Sequence, residues 1–344
     1  ARSLHREALR IQRAGLPAGD PAIATTLGHL AYIEFDLSER AALQEEILEI
    51  YTAALGPDHE RIVDVLLALA NTERGLGHYE DAVALLRQAL AVGQRARGPG
   101  DARAVIPMIH LADVLSANMD RTEEAERLYR QALAVQEAEV GPYDVLLIHG
   151  LHSLGTILGR QGRHDEAEAV LHRAIDILAR ALGAEHPRTV GSYLNLAAEL
   201  ARQQRYEEAD SLYAFVIDVW ERTRGPRHPS VAVARFDRSE VLEQMGRLDE
   251  AEAEANSALE IRAEALGPRS LMIGLTLMQV GDVARRKGEV DRARRTYGEG
   301  RSILLEHLAP DHPQVRDFDL RLEALELAAT RGPTTPGPAA PPGG

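Results

Sequence analysis

Histidine is a common ligand of metal ions in proteins, and four histidines recur at matching places in this sequence. They are His59, His186, His228 and His312, each at the end of a short loop motif. Matching loops of a repeated structure lie about one repeat apart, which is too far for the imidazoles to share one ion. We therefore expect these histidines to cap helices, and we predict neither a metal site nor any other cofactor.

Three further features suggest catalytic motifs but lack the context that such motifs require. The segment from Gly150 to Gly155 does not have the G-x-S-x-G spacing of a nucleophile elbow, and no strand is predicted before it. The segment from Gly75 to Gly77 lacks the third glycine of a phosphate-binding loop. Acidic pairs such as Glu207-Glu208 fall where helices are predicted to begin and where the helix dipole favours negative charge. We therefore predict that the chain is not an enzyme.

The composition excludes several classes of partner. The net charge of −14, from 53 acidic and 39 basic residues, would repel a phosphate backbone, so we predict no binding to nucleic acid. No apolar run approaches the ~18 residues that span a bilayer, so we predict no membrane association. Cysteine is absent, which rules out disulfide bonds and thiolate ligands. The amino-terminal segment is charged and has no apolar signal core, which favours a cytoplasmic location.

The elements that position these residues are predicted from an internal repeat. A six-residue turn motif that ends in alanine, as in residues 77–82, recurs along the chain. Its alanines are 41, 43, 42, 42, 42 and 42 residues apart, and they are Ala41, Ala82, Ala125, Ala167, Ala209, Ala251 and Ala293. A glycine-containing loop motif, as in residues 55–59, keeps the same period. Because glycine ends helices and the following polar residue or proline begins them, each period predicts helix A, a tight turn, helix B and a loop.

A small residue lies twelve positions before most of these alanines. The series is Ala70, Gly155, Ala197, Ser239 and Gly281, with Ala31 and Ala112 at spacings of ten and thirteen. Small side chains on both helices allow helices A and B of one repeat to approach closely, and the residue before each fills the seam between them. Repeat 6 departs from this pattern, because Arg238 stands where the other repeats have Leu or Val.

The pattern resembles the tetratricopeptide repeat in its long, about 42-residue form, the kinesin-light-chain type. The resemblance implies an all-α fold, an α-solenoid in which antiparallel helical pairs form a right-handed superhelix. It covers residues 1–326 as a half-repeat, seven A/B pairs and a terminal helix, and a Pro/Gly-rich disordered tail follows at 327–344. The chain begins inside a repeat and without Met, which predicts that more of the array lies upstream.

Two boundaries follow from the same pattern. The seven pairs are predicted between about Asp20 and Leu308, with no β-sheet in residues 1–326. In repeat 3, Pro107 would break the interior of a helix but is tolerated in a first turn. We therefore expect helix A of that repeat to begin near Val105.

The resemblance also implies where a partner binds. In this family helix A lines the concave surface, and the residue before the seam position often contacts an extended peptide. With the residues three positions further along helix A, the candidate groove comprises His29, Asn71, His110, Asp113, Ser153, Asn195, Asp237, Glu240, Gln279 and Asp282. Only Asn195 matches the ladder of groove asparagines in kinesin light chains, so a motor-cargo function is not implied. Simple solvation of an open groove is the alternative explanation for these polar residues.

The preferred function is an interaction scaffold that binds a peptide segment or a neighbouring domain in its concave groove. The alternative is a regulatory or sensor module of a larger signalling protein, carboxyl-terminal to a kinase or nucleotide-binding domain. Toward the carboxyl-terminal half the groove becomes acidic at Asp237, Glu240 and Asp282, with Arg202 and Arg286 near its edge. Because carboxylates steer cationic partners, the hypothesis is a basic, extended segment across repeats 5 to 7, with Asn195 holding its backbone amides. A solvated acidic surface, typical of a chain with this net charge, is the competing explanation.

Overall fold

The chain is helical throughout the part that the computed structural model describes, which is residues 2–97 and 104–331. No β-strand occurs within these two ranges. The helices are α1 (Arg2–Gly15), α2 (Pro21–Ile33), α3 (Leu37–Leu55), α4 (Glu60–Leu76), α5 (Tyr79–Arg97), α6 (Val105–Asn118), α7 (Thr122–Val140), α8 (Ile148–Arg160), α9 (His164–Leu182), α10 (Pro187–Arg202), α11 (Tyr206–Arg224), α12 (Pro229–Gln244), α13 (Leu248–Leu266), α14 (Leu271–Arg286), α15 (Val290–Leu304) and α16 (Pro313–Arg331). The prediction of an all-α repeat solenoid is confirmed.

The helices follow the 42-residue period. Within the described ranges seven A/B pairs run from α2/α3 to α14/α15, with α1 before them and α16 after them. Helix α6 begins at Val105 with Pro107 in its first turn, which confirms the start expected for repeat 3. Helix α16 continues to Arg331, past the predicted array boundary at residue 326. The rest of the predicted tail, residues 332–344, lies outside the described residues.

The helices group into two compact units, residues 1–181 and 182–344, and each has apolar cores of its own. In the first unit Met108 and Leu115 are fully buried among side chains of α4 to α9. In the second unit one core surrounds Trp220, and another surrounds Tyr297 and Phe318, whose rings meet edge to face at 6.3 Å. Among the described helices none is both long and apolar enough to cross a membrane.

The small residues predicted at the seam are required by close packing between helices A and B. All the recurring alanines from Ala82 to Ala293 are completely buried. A Cβ atom added at Gly155 would lie 2.8 Å from the Leu171 side chain, and one added at Gly281 would lie 2.4 Å from the Tyr297 ring. Real Cβ atoms do not approach other atoms so closely, so these positions admit no larger side chain without displacement of the partner.

The recurring histidines cap helices A, as expected from the sequence. In His59, His186, His228 and His312 the ring Nδ1 accepts a hydrogen bond from the backbone N–H two residues further on, at 3.2, 3.2, 3.1 and 3.3 Å. This bond satisfies one of the N–H groups that the first turn of a helix leaves without a partner. It also requires Nδ1 to be unprotonated in each ring, with the proton on Nε2.

An ordered series of arginines, the turn arginines, precedes helix B in repeats 3 to 6. Each pairs with the glutamate three residues later, and the pairs are Arg121–Glu124, Arg163–Glu166, Arg205–Glu208 and Arg247–Glu250. Two of them also reach back to helix B of the preceding repeat. Arg163 pairs with Glu126, and Arg247 pairs with Asp210, both at 2.6 Å and across 37 residues. Arg163 and Arg247 therefore connect adjacent repeats in addition to pairing with a glutamate in the first turn of their own helix B.

The departure at Arg238 is explained by a cluster of charged residues inside the seam, which we call the seam charge cluster. It consists of Asp210, Arg235, Arg238 and Glu254. Arg238 pairs with Asp210 at 2.6 Å and with Glu254 at 2.8 Å, and Arg235 also pairs with Glu254. The side chains of Arg238, Asp210 and Glu254 are only 19%, 13% and 10% exposed. Repeat 6 thus replaces an apolar seam contact with partly buried ion pairs.

Candidate functional site

Four of the ten predicted groove residues line one pocket in the second unit. Asp237, Glu240, Gln279 and Asp282 face a cavity of about 710 Å³, which we call the acidic pocket. Its remaining lining residues are Ala198, Ala201, Arg202, Tyr206, Tyr213, Val241, Glu243, Gln244, Arg285 and Arg321. The lining comes from α10, α11, α12, α14 and α16, so three successive A helices, one B helix and the terminal helix build the pocket.

Two carboxylates of the acidic pocket are already bound within the protein. Asp282 accepts a hydrogen bond from the Tyr297 hydroxyl at 2.7 Å and from the Arg321 Nε at 3.1 Å. Glu243 accepts one from the Gln279 amide at 3.1 Å and pairs with Arg286 at 3.5 Å. Gln279 is only 5% exposed, because its amide is held by Glu243 and by the Ser239 hydroxyl. These groups shape the pocket but have little bonding capacity left for a partner.

Asp237 and Glu240 differ, because neither makes an ion pair or hydrogen bond with another residue in the described ranges. Burial raises the pKa of Asp237 to about 6, although the distant Arg262 opposes this shift. Glu240 is exposed by surface area, yet the surrounding protein and the negative charges of Asp237, Glu243 and Asp282 raise its pKa to about 7. Both carboxylates therefore carry an unfavourable charge that a cation entering the pocket would stabilise.

The arginines around the pocket form no ion pair with these two carboxylates, although the charge of Arg262 acts on both of them. The guanidinium of Arg262 donates to the Thr276 hydroxyl at 2.5 Å and lies over the Phe236 ring at 4.6 Å. Arg202 is paired with Glu199 at 2.5 Å. Arg202 was predicted to lie near the groove edge, and it lines the pocket without reaching Asp237 or Glu240.

Two predicted residues of the first unit, His29 and Asn71, line a different cavity. This cavity measures about 620 Å³ and is bordered by small and apolar side chains of α2, α3 and α4, among them Ile47 and Tyr51. Tyr32 stands at its edge and is 88% exposed. The two cavities thus differ in chemistry, since only the one in the second unit is rich in carboxylates.

Three other predicted residues of the first unit lie close to Tyr129 or to its partner Asp113. This hydroxyl donates to Asp113, and His149 faces the other Asp113 oxygen at 3.5 Å. Burial raises the pKa of Asp113, but the hydrogen bonds from His149 and Tyr129 outweigh burial and hold it below its ordinary value. The bond to Asp113 raises the pKa of His149. Ser153 also faces the Tyr129 hydroxyl.

The other histidines near this network are desolvated. Burial lowers the pKa of His110, the third predicted residue, and lowers the pKa of His152 to about 4 with help from the charge of His149. The imidazoles of His110 and His152 and the bound carboxylate of Asp113 together form an internal polar network. The structure therefore places His110, Asp113 and Ser153 together, in a setting where Asp113 is already satisfied.

The remaining predicted residue, Asn195, is half-buried on α10 and does not line the acidic pocket. Sequence reasoning missed Tyr213 and Arg321, which do line it. A signal for Tyr213 exists, because tyrosine follows the recurring alanine by four residues in repeats 3, 5 and 7. Arg321 was missed because the terminal helix was given no part in the groove.

One group of described residues has the donor set of a metal site. Glu73, His78 and Asp81 place a ligand atom each within 4.8 Å of the others, at the turn between α4 and α5. The His78 Nδ1 lies 2.7 Å from Glu73, which is the ordinary geometry of a hydrogen-bonded pair. His78 occupies the position of the turn arginines, but it pairs with Glu73 at the end of helix A of its own repeat.

Comparison with known proteins identifies the same helical repeat that the structure shows. The model of the tetratricopeptide repeat family matches residues 41–95, 103–180, 146–213, 189–264 and 238–306. No curated protein sequence matches the chain. Among solved structures, nearly identical TPR-like repeats assigned to a kinesin light chain of Podosopora anserina are 23% identical, with a TM-score of 0.52 over 60% of this chain and 98% of that one.

Two Rap proteins in the same comparison share the fold at lower identity. The apo form of RapI is 13% identical, with a TM-score of 0.63 over 83% of this chain and 99% of that one. A Rap protein complexed with competence and sporulation factor is also 13% identical, with a TM-score of 0.51 over 96% of this chain and 99% of that one. The predicted kinesin-light-chain-like repeat is confirmed, and the chain belongs to the tetratricopeptide repeat family, whose helical repeats act as scaffolds for protein interaction.

Proposed function

We propose that this scaffold binds a basic, extended protein segment, with the acidic pocket as its principal contact. The observation that supports this most directly is the pair formed by Asp237 and Glu240, two carboxylates of one pocket that form no ion pair with any described residue. A lysine or arginine side chain of a partner would supply the missing charge. Complementary charge of this kind also steers association and fixes the register of a bound segment.

The neighbouring helices suggest how the segment continues. Asn195 lies one repeat before Asp237 on the predicted inner face of α10, where its amide can bond to an extended backbone. A Rap protein with a related fold is known in complex with competence and sporulation factor, so such an array can hold a partner. We propose the same use of the A-helix face here, with a segment whose charge is opposite to that of the pocket.

The first test compares peptides with and without basic residues. Replacing Asp237 by Asn and Glu240 by Gln removes both unpaired charges with little change in shape, and we expect the Kd of a basic peptide to rise about tenfold or more at low salt. Asp282→Asn is expected to have a smaller effect, because Arg321 and Tyr297 already bind that carboxylate. The measurement is fluorescence polarisation of labelled Arg/Lys-rich peptides and of acidic peptides of equal length.

The control for this test is Asp249→Asn with Glu250→Gln. These residues belong to the same unit and lie on its turn side, where they are 93% and 54% exposed, so the control makes the same change in net charge away from the pocket. Equal affinity of the wild type and the Asp237/Glu240 variant for the basic peptide would contradict the proposal. If the control variant loses as much affinity for the basic peptide, the effect is due to net charge and not to the pocket.

The same binding should depend on pH with a definite sign. A cation favours the ionised carboxylates, whereas pKa values of about 6 for Asp237 and about 7 for Glu240 leave the empty pocket partly protonated below neutral pH. Binding must then release protons, so we expect the Kd for a histidine-free basic peptide to rise roughly tenfold or more from pH 8 to pH 5.5. Calorimetry in buffers of different ionisation heat would count the protons released.

The pH test has its control within the same pocket. The charged or titratable groups around the two carboxylates are Arg202, Tyr206, Tyr213, Glu243, Arg262, Asp282, Arg285 and Arg321. Asp282 and Glu243 are bound by cations or amides, and the pKa values of about 6 for Asp237 and about 7 for Glu240 lie within this pH range. The Asp237→Asn/Glu240→Gln variant should therefore bind with little dependence on pH. A wild type whose affinity does not change over this range would refute the proton coupling.

A further inference from the structure

Three tyrosines occupy equivalent positions on helix B, and two of them are bound while the third is not. Tyr129, Tyr213 and Tyr297 each follow the recurring alanine of their repeat by four residues, and all three are at most 2% exposed. The Tyr129 hydroxyl donates to Asp113, and the Tyr297 hydroxyl donates to Asp282. The Tyr213 hydroxyl makes no hydrogen bond with any described residue, although its side chain lines the acidic pocket.

The cause lies in the residue that repeat 5 places opposite the tyrosine. Asp113 and Asp282 each lie on helix A of the same repeat as their tyrosine, and the equivalent residue in repeat 5 is Ala198. The Ala198 methyl group offers no acceptor, and it borders the cavity instead of filling it. The Tyr213 side chain is buried and its hydroxyl has no partner in the described protein, so this hydroxyl has bonding capacity for a ligand.

Repeat 7 shows what such a tyrosine and a carboxylate can bind together. There the Asp282 carboxylate accepts from the Tyr297 hydroxyl and, at 3.1 Å to each oxygen, from the Nε of Arg321 on α16. Arg321 stands 42 residues after Gln279, so it comes from the next A helix of the series. The protein thus already contains a tyrosine, a carboxylate and a guanidinium held as one group.

Repeat 5 has two of these three components. At the place equivalent to Arg321, the A helix that follows Tyr213 carries Asp237, and Glu240 lies three residues further on the same face. The carboxylates of Asp237 and Glu240 are close enough to Tyr213 to raise the pKa of its hydroxyl, after burial, which is the larger cause. No described arginine pairs with either carboxylate. Repeat 5 therefore has no bound guanidinium in the place of Arg321, and a guanidinium from another molecule would complete the group.

From this arrangement we infer that the acidic pocket is a recognition site for a single arginine side chain of a bound peptide, held by Asp237, Glu240 and the Tyr213 hydroxyl over Ala198. The inference rests on the proposed function and specifies which basic residue anchors the segment. Guanidinium fits better than ammonium, because its five N–H donors spread in one plane and reach acceptors on two helices at once. Guanidinium also loses less hydration than the compact ammonium of lysine when it enters a desolvated pocket.

The experiment uses the full chain and one basic peptide in which a single anchor position is Arg, Lys or citrulline. Citrulline keeps the shape of arginine and lacks its charge. We expect the arginine peptide to bind about tenfold more tightly than the lysine peptide, and the citrulline peptide to bind weakest. In the Tyr213→Phe variant the preference for arginine over lysine should fall to less than about threefold. Its thermal unfolding should stay close to that of the wild type, because the lost hydroxyl has no partner in the protein.

Tyr129→Phe is the matched control, because it removes the equivalent hydroxyl in the first unit and should leave the arginine preference unchanged. Equal affinity for the arginine and lysine peptides would overturn this inference and leave the proposed function standing. An unchanged preference in Tyr213→Phe would likewise overturn the part assigned to the hydroxyl. If free methylguanidine binds as tightly as the whole peptide, the claim that the pocket recognises an arginine within a peptide is wrong. Failure of every basic peptide would instead count against the proposed function.

Discussion

Replacing Arg238 by alanine is expected to lower the free energy of unfolding by about 2–4 kcal/mol, the largest effect of any single substitution that we predict. Arg238 supplies the charge between Asp210 and Glu254, whose side chains are only 13% and 10% exposed. Once it is removed, both carboxylates keep their other arginine partners, Arg247 and Arg235, but each loses one cation in a poorly solvated seam. The same change also removes the side chain that fills the seam.

Urea unfolding monitored by circular dichroism would measure this effect. The control is Arg227→Ala, which breaks the ion pair with Glu264 on an open surface where the two side chains are 68% and 53% exposed. Exposed pairs of this kind contribute about 0–1 kcal/mol, so the control should change the unfolding midpoint little. Equal midpoint shifts for Arg238→Ala and Arg227→Ala would show that burial of the seam charge cluster has no energetic consequence.

The second large effect is expected from Ala209→Leu. Ala209 is completely buried between helices A and B of repeat 5, and three added carbon atoms have no space there. Overpacking of this kind typically costs about 1–3 kcal/mol, and Ala167→Leu should behave alike in the first unit. By contrast, Asn195→Ala removes a half-buried polar group and should stay within about 0.5 kcal/mol. Comparable shifts in the urea midpoint for Ala209→Leu and Asn195→Ala would refute the prediction.

The fold could be predicted because its determinants are local and periodic. The glycine and histidine caps act within a few residues of their own position, and the small seam residues repeat with the same period, so a 42-residue period in one sequence is enough to place the helices. The start of α6 shows the same point, since the rigid ring of Pro107 constrains only the turn that contains it. Local rules of this kind do not require knowledge of which helices face each other.

The site could be predicted only in part, because its electrostatics depend on residues from other repeats. The sequence placed Asp237, Glu240 and Asp282 on one face, and the structure gathers them in one pocket. It did not indicate that Asp282 is neutralised by Arg321, which is 39 residues away. Nor did it distinguish an unpaired Asp237 from a paired Asp282, since both are acidic residues at inner positions. That difference depends on which side chain the next repeat supplies.

The turn arginines bear on how such a chain changes length during evolution. Because Arg163 and Arg247 pair with acidic residues of the preceding repeat, each pair is cut by any insertion that is not a whole period. Loss of residues 211–252, one full period, would instead bring Asp210 to the place of Glu252, which in the present chain pairs with Lys287. An acidic residue would again face a basic one. These ion pairs between repeats thus make the 42-residue period, and not the single helix, the unit that can be duplicated or deleted without loss of the pairing.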